Sequence, residues 1–174
     1  MTNQSTKLIL IIGPNGVGKS TTAEAILQNS PRCARVDSDW CRSMNPFTFT
    51  EETKKTVTQN IFDMLKNYIK CTDIENVVFT YTFHGGRKDI FEEVMRRLKK
   101  EGCLFELKTV ILFCTEEENR KRAKKDMRDN ERIERGIRTT LHFYDDYEFP
   151  KIDTTNLTVE EAATAVMNLV GISK

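Results

Sequence analysis

Two hydrophobic patterns alternate along the chain: short apolar runs rich in β-branched residues, and longer stretches with apolar positions three or four apart. Lys7–Ile12 is a run of the first kind that stops at Gly13-Pro14-Asn15-Gly16, as a buried strand does on entering a tight loop. Lys19–Gln28 consists of good helix formers with Ala23, Ile26 and Leu27 on one face, so a helix follows the loop directly. Cys33–Val36 reads as a second strand closing on Asp37-Ser38-Asp39, and Thr53–Lys70 carries Val57, Ile61, Met64, Leu65 and Ile69 at helical spacing. Asn76–Phe83 suits a third strand, which Gly85-Gly86 ends before a helix over Arg87–Lys100; Leu107–Phe113 is the fourth. Thr115 and Glu118 have capping-box spacing for a charged helix reaching about Met127, and another helix is predicted from Glu131 to Tyr144. Phe149–Thr154 is a weaker fifth strand, and Thr158 with Glu161 caps a closing helix through Val170.

Strand alternating with helix five times predicts an α/β fold: a parallel sheet with helices on both faces and right-handed crossovers, since each crossover helix must return across the sheet. At 174 residues the chain fits one domain spanning 1–174. Its 39% hydrophobic and 30% charged content excludes a disordered or collagen-like chain. The apolar run Leu8–Ile12 is far too short to cross a bilayer and lacks the flanks of a signal peptide, so a cytoplasmic location away from membranes is expected. Twenty-seven Lys plus Arg balance 26 Asp plus Glu, which gives no global field toward nucleic acid. The five scattered cysteines lack the spacing of a zinc or redox site and read as reduced packing residues.

The chemistry concentrates in Gly13-Pro14-Asn15-Gly16-Val17-Gly18-Lys19-Ser20, which fits G-x-x-x-x-G-K-[ST] between a strand and a helix. Glycines let successive N–H groups of Asn15, Gly16, Val17 and Gly18 converge on phosphate oxygens at a helix N-terminus whose dipole favours anions. Lys19 is expected at the β- and γ-phosphates of ATP, the Ser20 hydroxyl on Mg²⁺ and Thr21 toward the α-phosphate. Many such enzymes place a further acid at the end of the third strand, but Val77-Val78-Phe79-Thr80-Tyr81 has none. That task shifts to Asp37 and Asp39, at the C-terminal edge of strand two where open α/β sheets bind ligands, although aspartates also close ordinary turns there. Asp37 is read as the partner of Mg²⁺-bound water or as acceptor of a hydroxyl proton; Asp39 and Arg42 are read as binding the phosphoryl acceptor.

Lys121, Lys124, Arg128, Arg132 and Arg135 recur three or four residues apart and form one cationic stripe if the two helices run on continuously. Arg120 and Arg122 widen it, and a polar, arginine-rich segment at about 116–136 suits a lid that closes over a triphosphate; a solvated helix face gives the same spacing. His84-Gly85-Gly86-Arg87 ends strand three beside the presumed acceptor pocket, where Arg87 is placed to grip an anionic or polyhydroxy group. Trp40, Met44, Phe47 and Phe49 wall that pocket or simply pack.

GPNGVGKST and the DSD after strand two resemble the small P-loop kinases of metabolism, a group that includes shikimate kinase, gluconate kinase and the chloramphenicol phosphotransferase type, and Arg122 and Arg128 fall where the catalytic lid arginines of such kinases occur. Asp153-Thr154-Thr155-Asn156-Leu157 is similar to that group's last strand and the loop bordering the adenine. The resemblance implies a three-layer P-loop NTPase fold with a five-stranded parallel sheet of order 2-3-1-4-5. It also implies ATP and Mg²⁺ as cofactors, transfer of the γ-phosphoryl to a small molecule, and a monomer or homodimer. Phosphorylation of nucleotides or polynucleotide ends, and a nucleotide-gated regulatory module, remain as alternatives.

Overall fold

The computed structural model describes residues 5–125 and 129–173. These residues form five strands and six α-helices, alternating except for the pair α4–α5: β1 Thr6–Ile12, α1 Lys19–Asn29, β2 Cys33–Asp37, α2 Glu51–Ile69, β3 Asn76–Thr80, α3 Arg87–Lys100, β4 Phe105–Phe113, α4 Glu116–Lys125, α5 Asn130–Thr140, β5 Lys151–Asp153 and α6 Val159–Val170. The strands form one parallel sheet in the order β2-β3-β1-β4-β5, as the resemblance implied.

The centre of the sheet explains the unbroken apolar run of β1, because side chains alternate across a strand and helices cover both faces. Leu8, Leu10 and Ile12 enter a core with Val57, Ile61 and Leu65 of α2 and Ile90, Val94 and Leu98 of α3. Ile9 and Ile11 enter the opposite core with Ala23 and Ile26 of α1 and Ala163, Val166 and Met167 of α6. All five are fully buried, and each contributes about 1.5–3 kcal/mol of transfer free energy.

Strand ends depart from the sequence expectation where a neighbour runs out. β3 stops at Thr80, the last residue opposite both Ile11 and Asp37. Beyond it, the Phe83 N–H finds the Tyr144 hydroxyl at 2.9 Å instead of a ladder partner. β4 begins two residues early because Phe105 and Glu106 pair with Thr6 and Lys7. β5 is cut to three residues, since it pairs only with β4 and follows Pro150, which has no N–H to donate. α2 begins two residues early on a Thr50/Thr53 capping box, and α6 starts on the expected Thr158/Glu161 box. The helix expected to reach Tyr144 ends at Thr140, and 141–147 turn back over the end of β3.

The five cysteines are all free, three of them buried. Among the described residues no helix is long and apolar enough to cross a membrane.

Candidate functional site

The loop after β1 is shaped by contacts that tolerate no side chain at its first glycine. Gly13 has φ +148°, and a Cβ there would lie 2.1 Å from the Leu112 carbonyl oxygen of β4. The loop then curls around Lys19, whose Nζ donates to the carbonyls of Gly13 at 3.0 Å and Pro14 at 2.7 Å. Gly18 opens α1 in the left-handed region with no side-chain cap, so the first N–H groups of the helix are left for an anion. The loop tip is held from outside: Asn119 donates to the Asn15 carbonyl at 2.7 Å and the Asn15 N–H donates to Thr140 Oγ at 3.1 Å. Neither Asn119 nor Thr140 carries a sequence signal, because their role depends on how α4 and α5 dock.

A cavity of about 550 Å³ extends over the loop, lined by Asn15 to Thr22, Asp37 to Asp39, Arg42, Thr80 to Thr82, Arg122 and the 154–162 region. On its floor Ser20 Oγ donates to Asp37 Oδ2 at 2.8 Å, Arg35 donates to the same oxygen at 2.9 Å, and the Asp39 N–H donates to Oδ1 at 3.0 Å. Burial pushes the Asp37 carboxyl up, but these donors outweigh it and hold it below its usual value, as a carboxylate. Arg35, which the sequence reading did not single out, also pairs with Glu24 at 2.6 Å and stacks over Trp40, 4.8 Å from the ring centroid. Trp40 is therefore a half-exposed cover for this ion pair, while Met44 and Phe47 pack on the core.

Arg122 bridges the two halves of the cavity. Its guanidinium donates to the Val17 carbonyl at 3.2 Å, to Thr154 Oγ at 3.0 Å and to the Thr154 carbonyl at 2.6 Å, and its Nε donates to Glu118 at 2.8 Å. It ties the phosphate loop to the end of β5, on the side where Leu157, Thr158 and Ala162 offer apolar surface. Arg128 lies outside the described residues. The single straight cationic stripe is not formed: Arg120 of α4 pairs with Glu134 of α5, whereas 14 residues of continuous helix would separate them by about 21 Å. The two helices fold back on each other.

On the other side of the phosphate loop lie the acceptor candidates. Asp39 and Arg42 pair with each other, Nε to Oδ1 at 3.0 Å, and both line the main cavity. Arg42 also meets Arg87, Phe47, Phe49 and Tyr81 around a smaller pocket. Burial, then the neighbouring Arg42 charge, lowers the pKa of Arg87, whose guanidinium donates to the His84 carbonyl at 3.2 Å. A second cavity, of about 490 Å³, is lined by Asn15, His84, Gly85, Arg135, Gly136, Thr139 and Phe143. The structure thus gathers Asn15, Gly16, Val17, Gly18, Lys19, Ser20, Thr21, Asp37, Asp39, Arg42 and Arg122 around one cleft, with Arg87 at its edge and Gly13 behind the loop against β4.

A family model described as "AAA domain" (AAA_33) matches residues 8–150. The chain belongs to this AAA-domain family. No curated protein matches its sequence. Among solved structures, this AAA-domain chain is similar to the Deinococcus radiodurans tunicamycin resistance protein, at 18% identity and TM-score 0.71 over 97% of both chains. It is similar to a gluconokinase from Sinorhizobium meliloti 1021 at 14% identity and TM-score 0.63, over 97% of this chain and 94% of that one. A shikimate kinase from Acinetobacter baumannii matches at 17% identity and TM-score 0.60, over 96% and 94%. These likenesses establish a P-loop fold whose structural neighbours include kinases.

Proposed function

We propose that the protein transfers the γ-phosphoryl group of Mg²⁺-ATP to a hydroxyl of a small molecule. One observation carries this reading: a phosphate loop, a hydroxyl–carboxylate pair and a second charged pocket share one cleft, with Asp39 and Arg42 lining the same cavity as Lys19. A nucleotide-gated switch needs the phosphate loop but has no use for the charged pocket beyond it.

The Ser20 hydroxyl and the Asp37 carboxylate are hard oxygen donors 2.8 Å apart, suited to Mg²⁺, which prefers oxygen ligands and completes its shell with water and phosphate. When bound, the ion neutralises charge on the β- and γ-phosphates. Lys19 exchanges its two carbonyl partners for phosphate oxygens, and the N-terminus of α1 supplies N–H donors. Asp37 orients metal-bound water or accepts the acceptor proton, while Asp39, Arg42 and Arg87 position the acceptor. Arg122 fixes the nucleotide side of the cleft, and a lid at about 116–136, the segment to which the resemblance assigns Arg128, excludes water from the transfer.

The test is ADP release with Mg²⁺-ATP against shikimate, gluconate and other sugar acids, nucleosides, nucleotides, aminoglycoside and amphenicol antibiotics, tunicamycin and a 5′-hydroxyl oligonucleotide. One small-molecule acceptor that raises turnover well above the ATP-only rate, and fails to do so with Lys19→Ala, is the expected result. Stimulation by the oligonucleotide alone, or by nothing, would contradict it.

A further inference from the structure

The cavity between the phosphate-loop tip, the end of β3 and α5 holds a histidine that the reading above leaves without a task. We propose that His84 is a hydrogen-bond donor through Nε2, whose N–H takes a carboxylate oxygen of the acceptor molecule in this cavity. The substrate half of the proposal rests on the kinase reading; the proton arrangement does not.

The arrangement follows from a chain of bonds. The Phe83 N–H donates to the Tyr144 hydroxyl at 2.9 Å, so that oxygen is an acceptor there. Tyr144 Oη lies 3.0 Å from Thr82 Oγ, which lies 2.5 Å from His84 Nδ1. Tyr144 and Thr82 are 2% and 6% exposed, too buried to give a proton to water. Every polar hydrogen must then find a partner within the chain. If Thr82 donated to Tyr144, the phenol proton would have no acceptor among the described residues. The phenol therefore donates to Thr82, Thr82 donates to Nδ1, and the ring proton sits on Nε2.

Charge keeps the ring in that state. Burial, and then Arg87 of α3, Lys19 of α1 and Arg42 before α2, pushes the imidazole down to about 4. Arg135 of α5 is the one cation among the described residues that lines this cavity, and Phe143 lies edge-on to the imidazole at 6.2 Å. Among the described residues no side chain takes up Nε2, and it is not one of the fully buried unpaired atoms, so it is accessible from outside the fold; His84 lines this cavity. Among the described residues no carboxylate lines this cavity. The ring N–H and the Arg135 guanidinium can only donate, so an acceptor oxygen with negative charge satisfies both, and an ammonium satisfies neither.

The experiment uses the full chain labelled with ¹⁵N-histidine, in which only His84 and the exposed His142 contribute signals. His84 is expected to show an unprotonated Nδ1 and a protonated Nε2, unchanged between pH 8 and pH 5.5. Acetate is expected to move the Nε2–H proton resonance saturably, methylammonium not to move it, and Arg135→Ala to weaken the acetate effect several-fold. Thr82→Val, with its fold verified from the amide spectrum, is expected to yield a mixture of tautomers, an effect that loss of packing alone would not produce. Protonation of His84 near 6.5, a proton on Nδ1, or equal responses to acetate and methylammonium would overturn the proposal. None of these signals requires ATP turnover, so a protein that behaves as expected here but phosphorylates nothing would refute the kinase reading and leave the donor standing.

Discussion

Asp37→Asn perturbs structure and chemistry at one point, and the two consequences separate cleanly. The wild-type carboxylate, 5% exposed, accepts from Ser20, from Arg35 and from the Asp39 N–H. An asparagine oxygen can keep one or two of these bonds, but the NH₂ group must face a donor, and Arg35 loses a charged partner in a buried place. Removing one partner of a buried ion pair costs about 3–5 kcal/mol when the other charge is stranded. Arg35 keeps Glu24 at 2.6 Å, on the more exposed side. The expected loss is therefore smaller, about 2–3 kcal/mol, one or two charge-assisted hydrogen bonds. Urea unfolding followed by circular dichroism measures it as a shift in midpoint at constant slope. Under conditions where the variant remains folded, ATP affinity should fall only a few-fold, while turnover with an acceptor falls by at least about 10². A variant as stable as wild type would refute the ion-pair account, and one with wild-type turnover would remove Asp37 from the reaction.

Gly13→Ala should cost at least about 3 kcal/mol and abolish ATP binding, because its Cβ would meet the Leu112 carbonyl at 2.1 Å, adding overpacking to backbone strain. Gly86→Ala, at φ +75° with open space around the new methyl, should cost only about 1–2 kcal/mol; equal midpoints for the two in urea would contradict the geometry. Arg122→Ala removes the tie between the Val17 carbonyl and Thr154 and should raise the KM for ATP about tenfold or more with a smaller change in kcat, as initial-rate kinetics would reveal. His84 binds a proton less readily when folded, at about 4 against 6.5. The unfolded chain therefore takes up more protons, and stability should decline as pH falls from about 6.5 toward 4. Asp37, held low in the fold, adds a loss only as pH falls further through its folded value. In His84→Gln the decline between 6.5 and 4 should shrink in pH-dependent denaturation; an unchanged profile would count against the shift.

The legible parts of the molecule were those where local pattern and tertiary demand agree. β1 had to be apolar at every position because both faces are covered, and the loop after it had to spell glycine where the backbone passes a carbonyl. Asp37 was legible for the same reason, as an acid at the end of a strand beside that loop. Arg35 was not: an arginine inside a short strand reads as an edge residue until Asp37, Glu24 and Trp40 are seen around it. Asn119, Thr140 and Tyr144 reach the phosphate loop and the end of β3 from more than 60 residues away in sequence, and no periodicity encodes such docking. The cationic spacing of 121–135 was real, but a helix wheel assumes one axis, and the Arg120–Glu134 contact requires two.

The central claim is that the phosphoryl group goes to a small molecule and not to water. Incubating the protein with γ-³²P-ATP, Mg²⁺ and the acceptor that most stimulates ADP release, then separating the products by thin-layer chromatography, tests this directly. The account predicts label in an organic phosphate in proportion to the ADP formed, and none with Lys19→Ala. Label found only in inorganic phosphate, at a rate indifferent to every acceptor, would contradict it.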